Sequence, residues 1–288
     1  MTSRRTEGLL LCTGVLSALF CLCSCTKSAY AQGSGLTSPS TTTVLSPQEQ
    51  KLIEICATLS PRAKANFALD VSDGAMRVEF IAELLDLLRQ EESFPQNDKS
   101  LFFLIDKKHT VGSDYEPADL VSLDGDRLFD VNKGGMMMRR DARDALRVMA
   151  QAALDDGVKL LVSSAYRSYS YQKRLFDYWV SVDGLEEAER ESARAGTSQH
   201  QLGTAADFGS ISDDFARTVM GSWMYSNAAR FGWSLSFPKE FEDVTGYRWE
   251  CWHFRYIGVK ACAFQERWFG DVQQFMLEFI DKWKKWGT

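Results

Sequence analysis

The sequence predicts an α+β domain preceded by a short helical prefix. Three observations carry this expectation. Short apolar runs with strand texture alternate with amphipathic stretches of helical period. Helix-start signals crowd residues 46–92 and then give way to strand signals. No run repeats at a fixed period. Short helices interleaved with short strands and hairpins fit an α+β layer arrangement.

In the prefix, Ser46-Pro47-Gln48-Glu49 offers a cap, a proline at the first helical position and a carboxylate placed for a capping box. Ser60-Pro61 is a second start, and Met76 to Leu88 sets Phe80, Leu84, Leu87 and Leu88 on one stripe. The prefix, 46–100, carries no recognisable chemistry; it packs on the main domain or binds a partner. The domain proper, 101–288, opens with Leu101 to Ile105, an apolar run that reads as a strand. Asp141 to Ala153 reads as an amphipathic helix ended by Gly157, Val158 to Ser163 as a buried strand, and Ser170 to Val182 as a helix. Ala205 to Phe208 reads as a strand. Ser212 starts a helix reaching Phe231 and stopped by Gly232. Trp233–Phe237 and Trp249–Ile257 read as two further strands.

The first 31 residues fall outside fold reasoning. Arg4 and Arg5 precede an apolar stretch from Leu9 to about Leu22, too short to span a bilayer comfortably and suited to an export signal. Two exits compete. Ala29-Tyr30-Ala31 fits ordinary cleavage, whereas Leu22-Cys23-Ser24-Cys25 resembles a lipobox that would leave Cys25 lipidated and the chain attached to a membrane. Glu7 weakens a twin-arginine reading of Ser3-Arg4-Arg5. Residues 32–45 have the Gly/Ser/Thr texture of a flexible linker. The expected location is the cell envelope or periplasm. Cys56, Cys251 and Cys262 remain in the mature chain, an odd number that allows one bridge at most.

A net charge of −6 argues against a nucleic-acid partner, which calls for a basic face. Of the chain's 3 histidines, two keep unusual company. His200 and Asp207 bracket Gly203-Thr204-Ala205-Ala206, small residues suited to a tight loop entering a strand. His253 follows Glu250 by three positions. A catalytic zinc takes three protein ligands, commonly imidazole nitrogen and carboxylate oxygen, and keeps a position for water. His200, Asp207 and His253 meet that need, with Glu250 as the base that activates the zinc-bound water. Positions three apart on a strand face opposite sides, so Glu250 and His253 need a bend near Cys251 to converge. Otherwise Glu250 points to solvent. Arg167, just beyond the strand ending at Ser163, is a candidate oxyanion donor. Taken singly, each motif has innocent explanations; together they absorb two of the three histidines. The remaining His109, in Lys107-Lys108-His109, reads as a solvated loop residue, the 186–194 charge run as an exposed helix face, and Met136-Met137-Met138 as packing.

These residues resemble the VanY-like D-alanyl-D-alanine carboxypeptidases of the LAS metallopeptidase group. The likeness rests on Ser198-x-His200-x-x-Gly203-x-Ala205-x-Asp207, on Glu250-x-Trp252-His253-Phe254-Arg255-Tyr256, and on Tyr166-Arg167-Ser168 with Gln172. Tyr115 to Val121, the Trp223–Trp233 stretch and Thr245-Gly246-Tyr247 match in order as well, so it spans roughly residues 101–260. The resemblance implies a small, mainly antiparallel sheet with flanking helices and one zinc ion on His200, Asp207 and His253. It implies Glu250 as base and then acid, Arg167 on the oxyanion, and Ser198, Gln172 and Tyr247 against the peptide. The implied substrate is the D-configured end of peptidoglycan stem peptides, cut as a D,D-carboxypeptidase on pentapeptides or as an L,D-carboxypeptidase on tetrapeptides. Cys251 stands where the family usually has proline, and a thiol two residues from His253 invites a cysteine-nucleophile reading. A reading of another class is a non-catalytic wall-binding lipoprotein that keeps the fold.

Overall fold

The computed structural model describes residues 44–93, 98–99 and 101–287. The export signal, Cys25 and residues 32–43 of the linker lie outside the described residues. The two cap signals of the prefix produce α1 (Pro47–Ala57) and α2 (Pro61–Asn66), followed by α3 (Gly74–Arg89). Ser46 Oγ accepts from the Glu49 amide while Glu49 Oε2 accepts from Ser46 N at 2.9 Å, so the capping box closes in both directions. Glu49 also takes Nε of Arg77 on α3 at 3.0 Å, which ties the two helices together. Ser46→Ala is expected to cost about 1 kcal/mol, read as a fall of about 2–4 °C in Tm.

Strands β1 (Leu120–Ser122), β2 (Phe129–Val131) and β3 (Met137–Arg139) precede α4 (Arg140–Asp155). β1 and β3 form an antiparallel ladder of their own. Then come β4 (Leu160–Ser164), α5 (Tyr169–Glu191), β5 (Ala205–Phe208), α6 (Val219–Asn227), β6 (Trp233–Leu235), α7 (Glu242–Thr245), β7 (His253–Tyr256), α8 (Val259–Phe269) and α9 (Gln273–Lys285). The main sheet runs β2-β4-β5-β7-β6, and only the β2–β4 pair is parallel. This is the small, mainly antiparallel sheet with flanking helices that was expected. Among the described residues no helix is long and apolar enough to cross a membrane.

Four expectations need correction. Leu101–Ile105 is not a strand: Arg255 Nη2 donates to the carbonyls of Leu101 and Phe103 at 2.9 Å each, so a buried side chain rather than a neighbouring strand meets their needs. The helix expected from Ser212 to Phe231 breaks into single 3-10 turns on either side of α6. Ser212 caps nothing; Thr218 does, accepting from the Gly221 amide at 2.9 Å. Gly221 lies so close under the preceding turn that a Cβ there would meet Phe215 O at 2.0 Å. The strand expected over 249–257 shortens to β7, because residues 251–252 form a turn closed by His253 N donating to Glu250 O at 3.2 Å. His109 is half-buried rather than solvated, its Nδ1 2.8 Å from Asp106 Oδ1.

The prefix does not stand apart. Phe80 of α3 packs against Phe264 of α8 (5.1 Å) and Phe279 of α9 (5.2 Å), and Trp268 Nε1 donates to Glu83 at 2.7 Å. One apolar core thus joins the two ends of the described chain. A second, formed by α4, α6 and the sheet, sets the platform on which the site is built. Met136 and Met138 lie in that second core, as their packing role required, whereas Met137 is exposed.

Candidate metal centre and active-site cleft

His200 is delivered by a 3-10 turn, Gln199–Leu202, whose first amides are met by Ser198 Oγ accepting from His200 N at 3.3 Å. Gly203 ends the turn at φ +70°, a conformation that strains any residue with a Cβ; a Cβ there would also press on Arg139 and Leu120 at 3.0 Å. The chain then enters β5. Asp207 sits directly opposite His253 in the β5–β7 ladder, which brings their side chains onto one face. The turn over 251–252 swings Glu250 back to the same face, so that Glu250 Oε2 lies 3.5 Å from His253 Nδ1. The bend that the three-residue spacing demanded is therefore present.

The ligand atoms of His200, Asp207 and His253 all lie within 4.8 Å of one another, and all three residues are buried. His200 Nε2 is 3.3 Å from Asp207 Oδ2, and His253 Nδ1 is 3.0 Å from Asp207 Oδ1. The outer nitrogens are committed elsewhere. His200 Nδ1 donates to the Ala165 carbonyl at 2.7 Å, and His253 Nε2 donates to Gln199 Oε1 at 3.1 Å. Ser236 Oγ also donates to that oxygen, at 2.7 Å. With its outer nitrogen as the donor, a neutral imidazole at either position would turn a lone pair toward the Asp207 carboxylate. Such an arrangement is satisfied by a cation, and the acceptors behind the imidazoles are those that orient metal-bound histidines. Two nitrogens and one oxygen form a donor set that suits zinc.

The electrostatics agree. Burial, reinforced by the Arg167 charge, pushes the His200 pKa down to about 4, so the ring is neutral and free to ligate. Burial opposes ionisation of Asp207, but His200 and the Arg167 guanidinium outweigh it and hold the carboxyl well below its usual range. Glu250 moves the other way: burial, then the Asp207 charge, raise it well above the ordinary carboxylate range. Two carboxylates in one site therefore hold protons with very different strength, the condition for separate roles.

A cleft of about 290 Å³ opens over the centre. Arg167 lies in its wall, Nη2 on Asp207 Oδ2 at 2.6 Å and Nε on Ser164 Oγ at 2.9 Å. Ser198 and Tyr247 line the cleft as well. Tyr247 packs on Phe237 (4.9 Å), which in turn packs on the His253 ring (4.8 Å). Gln172 is placed differently from its expected contact with peptide. It is fully buried, and its amide nitrogen is taken up by the Ala193 carbonyl at 2.7 Å, so it braces the 192–193 segment that forms one wall. Cys251 turns away, its thiol on the Ser212 carbonyl at 3.5 Å, with burial raising its pKa; a nucleophilic role is removed. Cys56, Cys251 and Cys262 are all free and buried.

Sequence reading missed Gln199, Phe237 and Arg248. Gln199 had one signal, its place beside His200. Arg248 stakes the approach to Glu250, with Nη2 on Asp213 at 2.8 Å and Nη1 on Glu191 at 2.9 Å. Nothing local in the sequence announces those partners.

Comparison with known proteins places this architecture. The family model of VanY, D-alanyl-D-alanine carboxypeptidase, matches residues 135–259. The putative carboxypeptidase YodJ of Bacillus subtilis (strain 168) is 36% identical over 196 residues, 66% of this chain and 70% of that protein. Among solved structures, the LdcB LD-carboxypeptidase aligns with a TM-score of 0.57 at 34% identity, covering 65% of this chain and 88% of its own. A vancomycin-resistance D,D-pentapeptidase, VanY of the VanB-type cassette, solved in complex with Zn(II), aligns with a TM-score of 0.51 at 25% identity, covering 62% and 98%. By these likenesses the chain belongs to the VanY D-alanyl-D-alanine carboxypeptidase family of metallocarboxypeptidases.

Proposed function

We propose that the enzyme is a zinc-dependent D,D-carboxypeptidase that removes the terminal D-Ala from peptidoglycan stem pentapeptides. One observation carries the reading: the β5–β7 register and the turn over 251–252 aim Asp207, His253 and Glu250, with His200, into a single cleft. His200, Asp207 and His253 hold the zinc, which when bound supplies a Lewis acid that acidifies a water and polarises the scissile carbonyl. Glu250 accepts the proton of the attacking water and returns it to the leaving amine nitrogen as the C–N bond breaks. Its raised pKa suits both halves of that task. Arg167 stands beside the cluster and donates to the charge that develops on the carbonyl oxygen. The Ala165 carbonyl and Gln199 keep both imidazoles in the tautomer that leaves a lone pair for the metal.

The Zn(II)-bound D,D-pentapeptidase among its relatives supports this substrate. The greater identity to the LdcB LD-carboxypeptidase favours the second reading, removal of D-Ala from tetrapeptides. Defined muropeptides separate the two. Mass spectrometry is expected to show loss of one alanine from the pentapeptide and none from the tetrapeptide; the reverse pattern makes the enzyme an L,D-carboxypeptidase. Arg167→Lys keeps the charge but loses the planar fork. It is expected to lower kcat by roughly 100-fold while zinc content by atomic absorption stays unchanged.

The same reading places the enzyme in the cell envelope, exported and tethered through lipidated Cys25 or released after Ala31. Cys25→Ser is expected to move the protein from the membrane to the soluble fraction. Unaltered fractionation would favour cleavage after Ala31.

A further inference from the structure

Helix α5 carries an apolar stripe along an exposed edge. Its buried side, Gln172 and Phe176, faces the domain, and Lys173 and Asp177 pair with each other on the solvent side at 2.7 Å. Between the two sides run Tyr171, Leu175, Tyr178 and Val182, at helical spacings of four, three and four, with Trp179 on the flank. Tyr171 is 38% exposed, Tyr178 and Val182 56% each. Tyr178 and Trp179 meet edge to face, 5.1 Å apart at 68°. Tyr171 is held by Lys133, whose ammonium lies over its ring (5.1 Å) and 3.3 Å from its hydroxyl, whereas Tyr178 and Val182 stand more than half exposed.

The stripe is continuous with the catalytic cleft. Tyr171, Leu175 and Trp179 belong to the cleft lining, whereas Tyr178 and Val182 lie beyond it. From Tyr171 to Val182 the helix rises about 16 Å. A stem of five residues, at about 3.3 Å each, spans a similar length. The stripe is thus about as long as the stem whose amino end carries the sugar. Exposed aromatic faces with phenolic edges are suited to the C–H faces and hydroxyl rims of pyranose rings, apolar body against apolar face and polar tip toward water. We propose that the exposed stripe of α5 is a glycan-docking surface, on which the sugar portion of the wall polymer lies while its stem peptide enters the cleft. This deepens the proposed function and rests on it for the peptide half of the substrate.

The test compares a free pentapeptide with the same pentapeptide linked to its disaccharide, using wild type and the double variant Tyr178→Ser, Val182→Ser. The readout is the ratio of kcat/KM for the sugar-linked over the free substrate. It is expected to fall by about tenfold in the variant, mostly through KM. An unchanged ratio overturns the proposal, whereas failure of wild type to cleave either substrate counts against the proposed function alone. A second measurement needs no turnover: retention on purified glycan strands stripped of their stem peptides. Wild type is expected to be retained and the variant to pass through; equal behaviour overturns the glycan surface. Retention of wild type, but not of the variant, on anionic phospholipid vesicles, together with equal behaviour on glycan, would make the stripe a membrane contact and overturn it too.

Discussion

Glu250→Gln is expected to lower kcat on the pentapeptide by about 1,000-fold while the protein keeps its fold and its zinc. The amide has the size of the carboxyl, so no cavity opens. It cannot accept a proton from water or return one to the leaving amine. Glu250 is buried and its carboxyl resists ionisation, so replacing it with a neutral group removes an electrostatic burden from the folded state. Thermal unfolding should therefore show Tm at or above that of wild type. Zinc should also remain, since the three residues that cluster as ligands are untouched. Turnover by the variant equal to wild type would remove Glu250 from the chemistry. A fall in activity accompanied by loss of zinc would instead make Glu250 part of metal binding.

The residues of this centre are legible in the sequence for a particular reason. With only 3 histidines in 288 residues, two of them beside a glycine loop and a Glu-x-x-His, the candidate set was small before any fold was known. The three-residue spacing even required the turn at residues 251–252. What stayed hidden is what depends on partners far along the chain. The direct opposition of Asp207 and His253 comes from strand register, and no local pattern states which strand pairs with which. Gln199 and the Ala165 carbonyl fix the imidazole tautomers, yet neither has a sequence signature for that role. The break of the 212–231 segment follows from the close approach of Gly221 to Phe215, a packing event that helical propensity does not register. Helices α8 and α9 escaped notice, and with them the reason for the prefix: the stripe of Phe80 and Leu84 had no visible counterpart until Phe264, Trp268 and Phe279 supplied one.

Asp207→Asn should separate metal binding from catalysis in the opposite sense to Glu250→Gln. The substitution keeps the volume and leaves one oxygen to accept from Arg167, so the β5–β7 ladder and the packing are preserved. It removes the anion that faces both imidazoles, at 3.3 Å from His200 Nε2 and 3.0 Å from His253 Nδ1. Arg167, 2.6 Å away, is then a cation beside the metal position with no charge to offset it. Loss of a neighbour that only orients a ligand typically weakens a metal site by about 10–100-fold. Loss of a ligand's charge, compounded by an uncompensated arginine, is expected to exceed that range. The measurement requires no substrate. Metal-stripped wild type with zinc at about 100 times its Kd gains about 2.7 kcal/mol from binding, which for a domain of this size is a rise of about 5–10 °C in Tm. Asp207→Asn should show little rise at the same zinc concentration and no detectable activity. A full zinc-dependent rise in the variant would place the metal elsewhere and leave the facing lone pairs of His200, His253 and Asp207 without an explanation.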